Sequence, residues 1–127
     1  MAALILDASV VIALLDSADA HHERSLQDVE TADDERRELL VPASAYSEAL
    51  VAFARVDRVS EAREAVVAMG LSVTALTAAI AECAAWLRAQ YESLRLPDAI
   101  VLATARALAG ELLSYDERLM RLAAKSG

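Results

Sequence analysis

Cysteine is nearly absent from this chain of 127 residues: Cys83 stands alone in an apolar stretch, which excludes an internal disulfide or a cysteine-built zinc site and fits a reducing cytoplasm. Glycine and proline are almost as scarce, three and two residues, while 57% of the chain is hydrophobic. That balance excludes disordered and fibrous architectures and leaves ample material for a core. Lysine is reduced to Lys125 against eleven arginines, and the acids prevail to a net charge of −8. Such a surface repels a phosphate backbone, which weighs against a DNA-binding module and leaves only a local arginine rim for polyanion contact. A membrane or secretion signature is missing too. The apolar opening over residues 2–15 has no basic leader, is broken by Asp7 and is too short to span a bilayer.

What is present alternates in type. Short apolar runs at residues 3–6, 39–41, 71–73 and 112–113 read as buried strands. Helical patterns follow or separate them over 8–15, 43–55, 61–69, 77–91, 97–109 and 117–124, with a charged helix and loop across 20–38. Strands separated by helices pair in parallel through right-handed crossovers, so the expected fold is an open α/β sandwich in one domain, residues 1–127. Function in such a sheet belongs at the carboxyl ends of the strands.

Three acids are isolated in uncharged surroundings. Asp7 is the only charge in residues 1–15, Glu48 the only one in 39–54 and Asp98 the only one in 96–105. Their surroundings are expected to be largely buried, where an ionised carboxylate costs several kcal/mol unless paired, hydrogen-bonded or bound to a metal. These segments offer no matching lone Lys or Arg, so a cation is the economical partner, and all-oxygen ligation favours Mg²⁺ or Mn²⁺. Asp116 follows the last strand as Asp7 follows the first, placing both on the same sheet edge. Each acid also has a plainer explanation: Asp7 as the N-cap of the helix beginning at Ala8, Asp98 as a first-turn acid after Pro97, Glu48 as an ion-pair partner, Asp116 as surface charge. Their conjunction is what points to a site.

Four segments carry a family resemblance across nearly the whole chain: Leu4-Ile5-Leu6-Asp7-Ala8-Ser9, Ser47-Glu48-Ala49-Leu50, Leu96-Pro97-Asp98-Ala99-Ile100 and Leu113-Ser114-Tyr115-Asp116. In this order and spacing the sequence resembles the PIN-domain ribonucleases, especially the VapC-type toxins. The resemblance implies a three-layer sandwich with a central parallel sheet of four strands, or five with the further short strand that relatives commonly carry after the last helix. It implies Asp7, Glu48, Asp98 and Asp116 as metal-holding catalytic acids, Ser9 as a hydrogen bonder beside the first, and Ser114 where relatives often have Thr. It further implies Mg²⁺- or Mn²⁺-dependent hydrolysis of RNA to 5′-phosphate and 3′-hydroxyl ends, a cognate antitoxin, and a homodimer in the cytoplasm. Arg55, Arg88 and Arg95, next to the acid-bearing helices, are the expected guides for the RNA backbone.

Rival readings are a haloacid-dehalogenase-like phosphatase, a receiver-like module and a non-catalytic binding domain of the same fold. The phosphatase wants an acid where Ser9 stands, and the receiver wants a lysine better placed than Lys125. His21 and His22 read as solvated helix residues, and Trp86 and Tyr91 as core side chains.

Overall fold

Leu4, Ile5 and Leu6 show no polar alternation and all three are buried, so β1 (Leu4–Leu6) belongs to the interior of a sheet covered on both faces. In the computed structural model, which describes residues 1–126, β1 lies between β2 (Leu39–Pro42) and β4 (Glu111–Leu113), and β3 (Leu71–Thr74) flanks β2. The order is β3-β2-β1-β4 and every pairing is parallel. Seven helices among the described residues flank this sheet: α1 (Ala8–Leu15), α2 (His22–Asp34), α3 (Ala43–Ala54), α4 (Val59–Ala68), α5 (Ala78–Gln90), α6 (Leu96–Ala107) and α7 (Glu117–Ser126). The expected α/β class and four-stranded parallel sheet are therefore observed. No fifth strand occurs among the described residues, and Gly127, the last residue of the expected domain, lies outside them.

Register brings the strand ends level. Leu6 pairs with Leu113, and the Asp7 amide donates to the Leu113 carbonyl at 3.3 Å, so the residues that leave β1 and β4 emerge side by side. Packing holds this edge in place: Val10, Val11 and Leu14 of α1 and Ala99, Val101, Leu102 and Ala103 of α6 are all buried in one core with β1. Close packing also explains Gly110. A Cβ there would lie 2.7 Å from Ile5 Cγ1 and 3.1 Å from the Ala3 carbonyl oxygen. Because glycine is spent on that close approach, the left-handed residue ending α6 is Ala109, φ 49°, with Gly110 N–H bonded to the Ala105 carbonyl at 2.8 Å.

Element ends shift by a residue or two from the sequence pattern; α4, for example, begins at Val59 rather than residue 61. A real departure is Trp86. Expected in the core, it is 77% exposed, because α5 buries only the stripe of Ile80, Ala84 and Leu87 and Trp86 lies off it. Tyr91 does pack against the core. No helix among the described residues is long and apolar enough to cross a membrane.

Candidate active site

Asp7 leaves β1 in extended backbone, φ −82° and ψ 179°, and caps α1: its Oδ1 accepts from the Val10 amide at 3.2 Å and from the Ser9 hydroxyl at 2.6 Å. Its Oδ2 accepts from the Ser114 hydroxyl at 2.5 Å. The two serines in turn take amides from the loop beyond β4, Tyr115 N–H onto Ser9 Oγ and Asp116 N–H onto Ser114 Oγ, each at 3.0 Å. One buried carboxylate thus ties the start of α1 to the end of β4. Burial pushes its pKa up; the bonds from Ser114, Ser9 and Val10 oppose this, and the charge of Asp98 adds to the rise.

Asp116 caps α7, its Oδ1 accepting from the Arg118 and Leu119 amides at 3.0 and 3.2 Å. Asp98 stands in the first turn of α6 behind Pro97, and Glu48 projects from α3 three residues after the buried Ala45. All four acids, with Ser9, line one cleft of about 80 Å³ at the carboxyl edge of the sheet, where the small side chains of Ala8 and Ala45 leave room. The plainer roles of Asp7 and Asp116 as caps are therefore real, and they coexist with convergence on the cleft. Among the described residues, no group of three or more acidic, histidine or cysteine side chains is close enough to hold an ion by itself.

Two expectations need correction. Only Asp7 is buried, at 5% exposure; Asp98 is partly buried, and Glu48 and Asp116 are exposed. A charge in an apolar stretch needs only one open face, and here that face is the cleft. Nor is the cluster without a protein cation: Arg95, one residue before the uncharged stretch, reaches into the cleft with Nε 3.3 Å from Asp98 Oδ2. Asp98, Glu48 and Asp116 together favour its charged form. Of the three arginines expected to guide RNA, Arg95 lines the cleft while Arg55 and Arg88 do not.

Sequence reasoning missed the strap beside the site. Tyr115 bonds to Asp28 Oδ2 at 2.7 Å, stacks on His21 with centroids 4.9 Å apart, and lies 4.7 Å beneath the Arg24 guanidinium. Burial and the Asp28 bond push its phenol pKa well up. His21 is exposed, as expected, whereas His22 is half-buried and anchored by a 2.7 Å contact from Nδ1 to the Ala13 carbonyl. No single-sequence signal joins Tyr115 to residues nearly ninety positions away.

The family model of the PIN domain matches residues 4–125. The chain belongs to the PIN-domain family. Solved structures agree on the fold. The Mycobacterium tuberculosis VapC20, a sarcin-ricin loop cleaving toxin, superimposes on this PIN domain with a TM-score of 0.72 over 94% of each chain, at 16% identity. A toxin-antitoxin complex from Klebsiella pneumoniae matches 91% of the PIN domain and 88% of its own chain, TM-score 0.71 and 24% identity. Among curated proteins nothing matches this sequence.

Proposed function

We propose that this PIN domain is a Mg²⁺- or Mn²⁺-dependent endoribonuclease acting as the toxin of a toxin-antitoxin pair. Asp7, Glu48, Asp98 and Asp116 are its metal-holding acids, with Ser9 and Ser114 as their supports. The observation that carries this reading is convergence: acids from four segments distant in sequence line one cleft at the functional edge of a parallel sheet. Helix capping alone would not require Glu48, which lies within α3 and caps nothing.

The donor set fits a hard cation. Every candidate ligand is a carboxylate oxygen, the donor type that Mg²⁺ or Mn²⁺ takes, with waters and a substrate phosphate completing the shell. Such an ion, when bound, supplies charge neutralisation at the scissile phosphate and a more acidic water for attack. The protein's part is orientation. Of about four lone-pair sites on the Asp7 carboxylate, Ser9, Val10 and Ser114 occupy three, so the direction left for a ligand is fixed. Asp116 spends Oδ1 on the α7 amides while its side chain lines the cleft. Hydrolysis would leave 5′-phosphate and 3′-hydroxyl ends, and the neighbour that cleaves the sarcin-ricin loop supports a folded RNA loop as substrate.

An antitoxin is supported by a second surface. A groove of about 440 Å³ runs along α1 and α3, lined by Ile12, Leu15, Ala52, Phe53 and Val56, and it shares Glu48 with the acidic cleft. An apolar segment ending in a basic side chain would cover both, in keeping with the net charge of −8. Self-association into a homodimer belongs to the same proposal and rests on the family alone.

The deciding test is incubation of the purified protein with cellular RNA in chelator, Mg²⁺ or Mn²⁺, with Asp98→Asn alongside. Discrete metal-dependent fragments bearing 5′-phosphates are expected from the wild type and none from the variant. No metal-dependent cleavage, or undiminished cleavage by the variant, would overturn the assignment.

A further inference from the structure

Resting on that metal-nuclease reading, we propose that Arg95 is the site's own counter-cation, held by Asp98 in the metal-free protein and handed to a phosphate of the RNA when the divalent ion enters. Arg95 sits at the N-cap of α6, where its carbonyl takes the Ala99 amide at 2.9 Å while its side chain makes no capping bond. The backbone is fixed, and beyond the Asp98 pair the side chain is open to solvent. Its ion pair, 3.3 Å to Asp98, leaves the Arg95 side chain 66% exposed against 18% for Asp98, so water screens the pair from the arginine side. A divalent ion in the same cleft would weaken this pairing, because like charges repel and both cations draw on the Asp98 carboxylate.

A second cavity beside the cleft offers the released group a place. Arg95, Asp98 and Asp116 line both the acidic cleft and a second cavity of about 110 Å³ on its far side. Arg118 of α7 stands in that second cavity, anchored through Nη2 to the Ser93 carbonyl. Asp98 and Asp116 would hold the ion, which would offset their charge, and Arg95 and Arg118 both line this second cavity. A planar fork suits a phosphodiester, which accepts two parallel hydrogen bonds from it. One side chain thus serves first as placeholder and then as substrate ligand.

Opposite effects on the two ligands are the signature. Calorimetric titration of Mn²⁺ into the full chain without RNA is expected to give tighter binding to Arg95→Gln than to wild type, by about threefold or more, because a positive charge has left the site. Arg95→Lys keeps the charge and is expected to bind Mn²⁺ as wild type does. In cleavage of cellular RNA at saturating metal, both variants are expected to raise KM. Equal or weaker Mn²⁺ binding by Arg95→Gln would overturn the exchange, as would an unchanged KM in Arg95→Lys, a variant that tests the fork even if Arg95→Gln folds poorly. Failure of wild type to bind Mn²⁺ at all would instead sink the metal-nuclease reading itself.

Discussion

Replacing Asp7 by Asn and by Ala separates what its charge does from what its oxygens do. In Asp7→Asn, Oδ1 still accepts from Val10 and Ser9, so the cap survives without a buried charge, and the new amide donates to Ser114 Oγ once that hydroxyl hydrogen has turned away from it. In Asp7→Ala the cap is lost, at about 0.5–2 kcal/mol, and the Ser114 hydroxyl, buried at 5% exposure, loses its acceptor. An unmade buried hydrogen bond costs about 1–3 kcal/mol, and release from desolvating the carboxylate offsets part of the total. A net loss of about 1–3 kcal/mol follows for Ala, roughly 4–12 °C in Tm for a domain of this size, against no loss or a gain for Asn. The pH dependence has a definite sign. Because burial raises the folded-state pKa of Asp7, the folded protein binds its proton more tightly than the unfolded chain, and stability falls as pH rises from the unfolded value through the folded one. The advantage of Asn over wild type is therefore fully present at neutral pH and closes below the ordinary Asp range. Thermal melts of the three proteins in chelator from pH 3.5 to 8, as rough bounds for the carboxylate window, supply the test. A melting temperature for Ala equal to that of Asn would refute the capping account, and a gap independent of pH would refute the desolvation account.

Ser114→Ala removes both the bond to Asp7 and the acceptor for the Asp116 amide, and is expected to cost about 1–3 kcal/mol and weaken Mn²⁺ binding, measured by melts and calorimetry. Gly110→Ala drives a methyl into Ile5 and is expected to lower stability by about 1–3 kcal/mol in denaturant titrations, with the cleft chemistry spared. Metal at a hundredfold excess over its dissociation constant is expected to stabilise wild type by about 2.7 kcal/mol, and Asp98→Asn is expected to forfeit most of that increment in the same melts. At Asp116, Asn is expected to keep α7 while Ala loses about 0.5–2 kcal/mol of it, both without cleavage.

The parallel sheet and the position of each acid were legible because the signals are local. A lone Asp after three buried residues marks the end of β1, whereas Asp116, three residues beyond Leu113 and next to Glu117 and Arg118, marks the end of β4 only by its place in the order of elements. Arg95 was legible only as a neighbour of α6. Its approach to Asp98 depends on how the chain turns into the helix, and a count confined to the uncharged stretch ends one residue short of it. Trp86 is hydrophobic but off the buried stripe of α5: it follows Ala85 and precedes Leu87, and only the latter points inward. The exposure of Glu48 was hidden for a related reason, since an apolar helix can present one polar position to an opening made by other elements.

The double duty of Asp7 and Asp116 has a consequence for descent. Each begins a helix with the same carboxylate that it turns toward the cleft, so loss of chemistry and loss of fold are separable only through residues that keep a capping oxygen. A descendant released from selection for cleavage would then drift to Asn or Ser at these two places, seldom to Ala or Val, while Glu48, which caps nothing, would be free to become almost anything. In such a lineage, the identity of residue 48 would record the death of the enzyme long before residues 7 and 116 did.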